Sequence, residues 1–150
     1  MSSTMSQPVA PDDPTAANVA VVRCFLEAFD GRWPNRDELS SLVAADVSVV
    51  ERPNLVNPAG STRTAAELRE GVEAGSRLLA WQSYDVRDHV ACGEWVVSRF
   101  RWTGELAVDV GSWRAGTRLA AWCVGHYRLR DGLIVSIEQH DCYEQLAPPS

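Results

Sequence analysis

The chain has 150 residues, 45% of them hydrophobic, enough for one domain with its own core and too few for two ordinary ones. Its 14 basic and 20 acidic residues leave a formal net charge of -6, the wrong sign for a protein whose affinity comes from phosphate contacts, which argues against nucleic acid as a partner. Every basic residue is an arginine, so lysine Schiff-base chemistry is excluded.

Residues 1–14 are rich in Ser, Pro, Asp and Gln and are expected to form a disordered tail, with another at residues 147–150. A helix follows from about Thr15 to Asp30, capped by Asp13 or Thr15, with Val19, Val22, Phe25, Leu26 and Phe29 at helical spacing. Gly31 and Pro34 break it, and a short helix is expected from about Asn35 to Ala44. A first strand, Asp46 to Arg52, is closed by Pro53 and the turn-rich segment Asn54 to Gly60. A third helix is expected from about Thr64 to Leu79, where Gly71 and Gly75 permit close packing. From Ala80 the pattern is β: Trp81 to Val90, Glu94 to Thr103, Thr117 to Leu129 and Leu133 to Tyr143, with a longer loop over Ala107 to Gly116. Three helical segments followed by a meander of long strands imply an α+β domain, with helices covering one face of a curved antiparallel sheet over residues 15–146.

The closing run Asp131 to Tyr143 carries the strongest chemical signal. Asp131-Gly132 is the dipeptide of a two-residue hairpin turn, whose central residues both need positive φ. Alternation puts Leu133, Val135, Ile137, Gln139 and Asp141 on one face, apolar at its start and acidic at its end. With Asp131 and Gly132 as the turn, unbroken pairing sets His126 against Ile137, Val124 against Gln139 and Trp122 against Asp141, opposed side chains standing about 5 Å apart at Cβ. Asp141 would then lie beside an indole, where low dielectric raises a carboxyl pKa toward the range useful for acid or base work. The plainer reading of Asp141 is a cap on the sheet end.

On the neighbouring strand Val96, Ser98, Phe100 and Trp102 form the more apolar face and are placed inward. At the end of the first strand, alternation sends Glu51 and Arg52 to opposite faces and leaves open which one points in. His89, His126 and His140 have no metal-ligand spacing, so no metal is expected, and no glycine-rich nucleotide cradle occurs. His126 is within reach of a pocket, or else a hydrogen-bonded core residue. The four cysteines, Cys24, Cys92, Cys123 and Cys142, are widely spaced and no secretory pattern opens the chain, which is read as a cytoplasmic protein with reduced thiols. No apolar run approaches the ~18 residues of a transmembrane helix, so no membrane association is expected.

Taken in order, Glu-Arg-Pro-Asn at 51–54, Gln-Ser-Tyr-Asp-Val at 82–86, Trp-Thr-Gly at 102–104 and the closing Arg-Asp-Gly-Leu-Ile and His-Asp-Cys-Tyr resemble the nuclear transport factor 2-like superfamily, in its SnoaL-like branch. The resemblance implies a cone of helices over a curved sheet enclosing an apolar pocket, commonly in a homodimer. It does not name a reaction. The positions matching the acid-base set of ketosteroid isomerase-like members are Phe25, Arg52 (or Glu51) and Trp122, and the closing-strand position of limonene epoxide hydrolase-like members is Gln139, so neither chemistry is expected. The expectation is a cofactor-independent cyclase or isomerase acting on an apolar polyketide- or terpene-like small molecule. Asp141 and Glu51 would be catalytic, Gln139 and Ser98 oxyanion donors, and Trp122, Trp102, Phe100, Val96, Phe25, Arg52 and His126 further substrate contacts. The alternative is a non-catalytic apolar-ligand-binding or accessory dimeric domain.

Overall fold

A computed structural model describes residues 13–144. The tails expected at 1–14 and 147–150 lie outside the described residues, apart from Asp13 and Pro14. Three helices, α1 (Thr15–Glu27), α2 (Arg36–Leu42) and α3 (Ala65–Leu78), pack on one sheet formed by β1 (Val43–Glu51), β2 (Ser61–Arg63), β3 (Leu79–Cys92), β4 (Trp95–Leu106), β5 (Arg118–Arg130) and β6 (Leu133–Tyr143). The strand order is β2-β1-β6-β5-β4-β3, antiparallel throughout except for the parallel pair of β1 with β6. That pair sets the ends of β1 and β6 side by side, with Glu51 opposite Gln139.

The helix boundaries follow from local chemistry. Neither Asp13 nor Thr15 is the N-cap of α1: that position is Pro14, without a side-chain cap, and Asp13 Oδ1 just before it accepts the Thr15 amide at 3.0 Å, while Asn35 caps α2 through the Glu38 amide at 2.8 Å. Thr64 and Glu67 close a reciprocal capping box on α3. The two α3 glycines act as expected: a Cβ at Gly75 would lie 2.5 Å from the Trp33 ring, and one at Gly71 2.8 Å from the Arg63 guanidinium. The core lies between sheet and helices, built from Val22, Phe25 and Leu26 of α1, Leu68 and Val72 of α3, and Val47, Phe100, Tyr127 and Ile137 of the sheet.

One element was not expected and one further expectation needs correction. Between the turn-rich segment and α3, where no element was assigned, the short strand β2 pairs with β1 from Val49–Arg63 to Glu51–Ser61. The hairpin turn itself is as expected, with Asp131 at φ 53 and Gly132 at φ 77, and Arg130 pairs with Leu133. Beyond Leu129–Ile134, however, a β-bulge shifts the register, and pairing resumes at Arg128–Ser136 with Val135 as the extra residue. Trp122 therefore pairs with Cys142, and Asp141 with Cys123. The bulge also reverses the start of β6, where Ile134 is buried and Leu133 and Val135 are only partly covered.

Candidate active site

From the bulge onward, Ile137, Gln139, Asp141 and Tyr143 share the inner face of β6 and line a cavity of ≈ 320 Å³ between the sheet and the helices. On β1, Val47 is buried and Glu51 lies on its face, so Glu51 points in. Arg52 turns out and bonds Glu138 Oε1 through Nε at 2.8 Å. The rest of the wall includes Phe25 from α1, Phe29 and Trp33 from the turn segment that follows it, Arg63 from β2, and Gln82, Tyr84, Trp102 and Cys123 from the longer strands.

Asp141 is the central polar group of this cavity. Gln139 Nε2 donates to its Oδ1 at 2.9 Å. Burial pushes its carboxyl above the ordinary aspartate value, and the charge of Glu51 adds to the rise. The Cys123 and Gln139 donors pull the other way and are outweighed. Glu51 is differently placed: Oε1 accepts from Asn54 Nδ2 at 3.1 Å, and Oε2 from Asn57 Nδ2 at 3.0 Å and Ser61 Oγ at 3.4 Å. Its oxygens are occupied by the loop that follows β1, so it is a fixed acceptor and a source of negative charge. The two carboxylates thus have distinct environments, one tied by three donors and one held above its usual range.

Neutral donors complete the wall. Burial raises the Tyr84 and Tyr143 hydroxyls and the Cys123 thiol beyond any physiological titration, so all three keep their protons. The Tyr143 ring meets Trp102 edge-on at 6.3 Å, and Tyr84 stacks on Phe100 at 5.3 Å, which fixes both phenols.

Of the residues expected in the site, Asp141, Glu51, Gln139, Trp102 and Phe25 line the cavity. Val96, Ser98 and Phe100 point inward but are fully buried beneath it, and Ser98 Oγ is taken by His89 Nδ1 at 2.7 Å. Trp122 and His126 do not reach it. They alternate with Ala121, Cys123, Gly125 and Tyr127, so once the bulge has set the register they stand on the opposite sheet face. Trp122 is 48% exposed there, between the Arg87 and Arg101 guanidinium groups. With Arg52, Arg99 and His140 it lines a separate outer hollow. Gln82, Tyr84 and Tyr143 join the wall without having been expected there, although alternation alone carries them: two come from the step Val86, Tyr84, Gln82, and the third lies two residues past Asp141. Arg63 had no such signal, since β2 spans only Ser61–Arg63.

A family model described as SnoaL-like domain matches residues 22–137. The chain belongs to the SnoaL-like domain family. No curated protein matches it. Solved structures similar to this SnoaL-like chain include IdmH from Streptomyces antibioticus, described as a candidate polyketide cyclase, at 20% identity over 83% of this chain and 91% of that one, TM-score 0.67. A candidate SnoaL-like polyketide cyclase from Jannaschia sp. CCS1 matches at 15% identity over 87% and 88%, TM-score 0.71. An LEH-like epoxide hydrolase from M. tuberculosis matches at 15% over 85% and 84%, TM-score 0.63. Identities this low speak for shared fold. The family match ends at Ile137, before Gln139, Asp141 and Tyr143, so the polar end of this site is read from the chain's own geometry.

Proposed function

We propose that this SnoaL-like protein is a cofactor-independent cyclase or isomerase of apolar, polyketide- or terpene-like small molecules, with Asp141 as general acid and base. The observation that carries the proposal is Asp141 itself, a carboxyl with raised proton affinity, oriented by Gln139 on the wall of a largely apolar cavity. In the ionised state Asp141 takes a proton from the carbon beside a substrate carbonyl. The electron pair moves into the enolate, and a neutral phenol, Tyr143 or Tyr84, donates to the developing oxyanion. Asp141 then returns the proton to a second carbon of the enolate or, where the enolate carbon has closed a ring on another carbonyl of the substrate, to the alkoxide oxygen formed there. Gln139 orients the carboxyl by donating to its Oδ1, and the charge of Glu51 keeps it basic.

The test is solvent deuterium exchange at C2 of 1-tetralone, a bicyclic ketone with one enolisable position, followed by proton NMR. The intact protein is expected to accelerate exchange, and Asp141→Asn to lower that acceleration by about 10²–10⁴-fold. Equal acceleration by the folded variant and the wild type removes Asp141 from the mechanism. Binding of the ketone without acceleration by either protein favours the alternative, a non-catalytic binding domain.

Homodimerisation and a cytoplasmic location belong to the same proposal. The outer sheet face exposes Trp81, Trp95 and Trp122, a surface suited to a second copy. The four cysteines are free thiols, as a reducing compartment keeps them. No helix among the described residues is long and apolar enough to cross a membrane.

A further inference from the structure

We infer that Gln82 reads a second oxygen on the substrate, an uncharged carbonyl-type acceptor set away from the reacting carbonyl, and that Trp102 positions it to do so. The inference rests on the cavity being the substrate site, as proposed above. Gln82 lies on β3, three strands across the sheet from Asp141, and is only 4% exposed. Its Oε1 accepts from Trp102 Nε1 at 3.1 Å. An indole nitrogen is a donor only, so the amide cannot be turned the other way round, and Nε2 is the group left over. Nε2 is buried, makes no hydrogen bond to any described residue, and belongs to a side chain that lines the cavity.

The seat of the indole is built into the strand. Gly104 pairs with Gln82, and a Cβ at Gly104 would lie 2.6 Å from Trp102 Cζ2 and 2.8 Å from Cη2. Only a residue without a side chain lets the ring lie flat along β4 and reach the amide. An oriented, unpaired, uncharged donor on the cavity wall, three strands from Asp141, favours a ligand carrying a matching acceptor, because leaving the donor empty forfeits a hydrogen bond. The substrate class that follows is a rigid, mostly apolar diketone or quinone-like molecule, one oxygen meeting the Asp141 end and the other Gln82.

The experiment compares 6-acetyl-1-tetralone with 6-isopropyl-1-tetralone, near-isosteric ligands that differ in the second carbonyl, by calorimetric titration of the full chain. The wild type is expected to prefer the acetyl compound by about tenfold. Gln82→Met, which keeps the length and loses the donor, is expected to bring that ratio to about one while the isopropyl compound binds within about twofold of wild type. Trp102→Phe is expected to lower the ratio as well, since the amide is then free to turn. Retained binding of the isopropyl compound shows that each variant has folded around an intact cavity. An unchanged ratio in Gln82→Met overturns the inference and leaves the cavity reading standing. Failure of the wild type to bind either ligand overturns both.

Discussion

Substituting Gly104 by alanine tests the packing on which one wall of the cavity depends. The added methyl would sit 2.6 and 2.8 Å from two carbons of the Trp102 ring and 3.3 Å from the Trp81 carbonyl oxygen, against the roughly 3.5–4.0 Å of an ordinary carbon contact. The ring must move by about 1 Å, and it has little freedom, being edge-on to Tyr143 and bonded to Gln82. Overpacking of this kind costs about 1–3 kcal/mol. Breaking the Trp102–Gln82 bond, with both groups left buried, costs about 1–3 kcal/mol more. Alanine recovers about 0.4–1 kcal/mol by restricting the unfolded chain. These ranges sum to a net loss of about 1–5 kcal/mol, and the midpoint of about 3 kcal/mol lowers the melting temperature by roughly 6–12 °C for a domain of this size. Thermal unfolding followed by circular dichroism reads it directly. In a Trp102→Phe background the same substitution should cost less, because the smaller ring can be accommodated, and the difference is the coupling energy. Gly104→Ala with a melting temperature within about 2 °C of wild type would refute the reasoning.

Other outcomes follow from the same geometry. The folded pKa of Asp141 is raised, so over a window above the unfolded value the native state holds a proton that the unfolded chain has released. Stability therefore falls as pH rises through that window and stays lower above it. Asp141→Asn should be more stable than wild type to urea at neutral pH, with the gain shrinking as pH is lowered toward 3.8, the ordinary aspartate value. His89 shifts the other way: burial and the charge of Arg23 lower its pKa, so it is kept neutral and its contribution to stability is lost as pH falls below 6.5, its ordinary value. His89→Gln should flatten that acid limb in urea titrations. Trp122→Ala is expected to leave the affinity for tetralones within about twofold, because Trp122 lies on the outer face, and to shift any dimer toward monomer in sedimentation. Asn57→Ala removes one of the donors to Glu51. It should loosen the loop after β1, seen as faster amide exchange over residues 52–60, while Asp141 stays in place.

The sequence carried the helices, the long strands and the hairpin turn because each has a local cause: apolar spacing, a capping group or a turn dipeptide. Asp141 was legible for the same reason, as the polar end of an apolar strand face. Its partner was not. The bulge at Val135 adds one residue to β6 without disturbing the alternation beyond it, so Asp141 kept its face while every partner shifted by one, and Trp122 moved from cavity wall to outer surface. Between Glu51 and Arg52 the residues alone could not choose, since valines precede both. The parallel pairing of β1 with β6, a contact between segments far apart in the chain, made the choice. Gln82 shows a third kind of gap: alternation marks it as inward, but nothing local says that Trp102 would orient its amide across a glycine.

The most direct measurement is the titration of the Asp141 carboxyl carbon by NMR in the intact protein, assigned by its loss in Asp141→Asn. The expected midpoint lies above that of an ordinary aspartate and rises further when an apolar ketone fills the cavity and excludes water. A midpoint at or below the ordinary value, unmoved by ligand, would contradict the role proposed for Asp141.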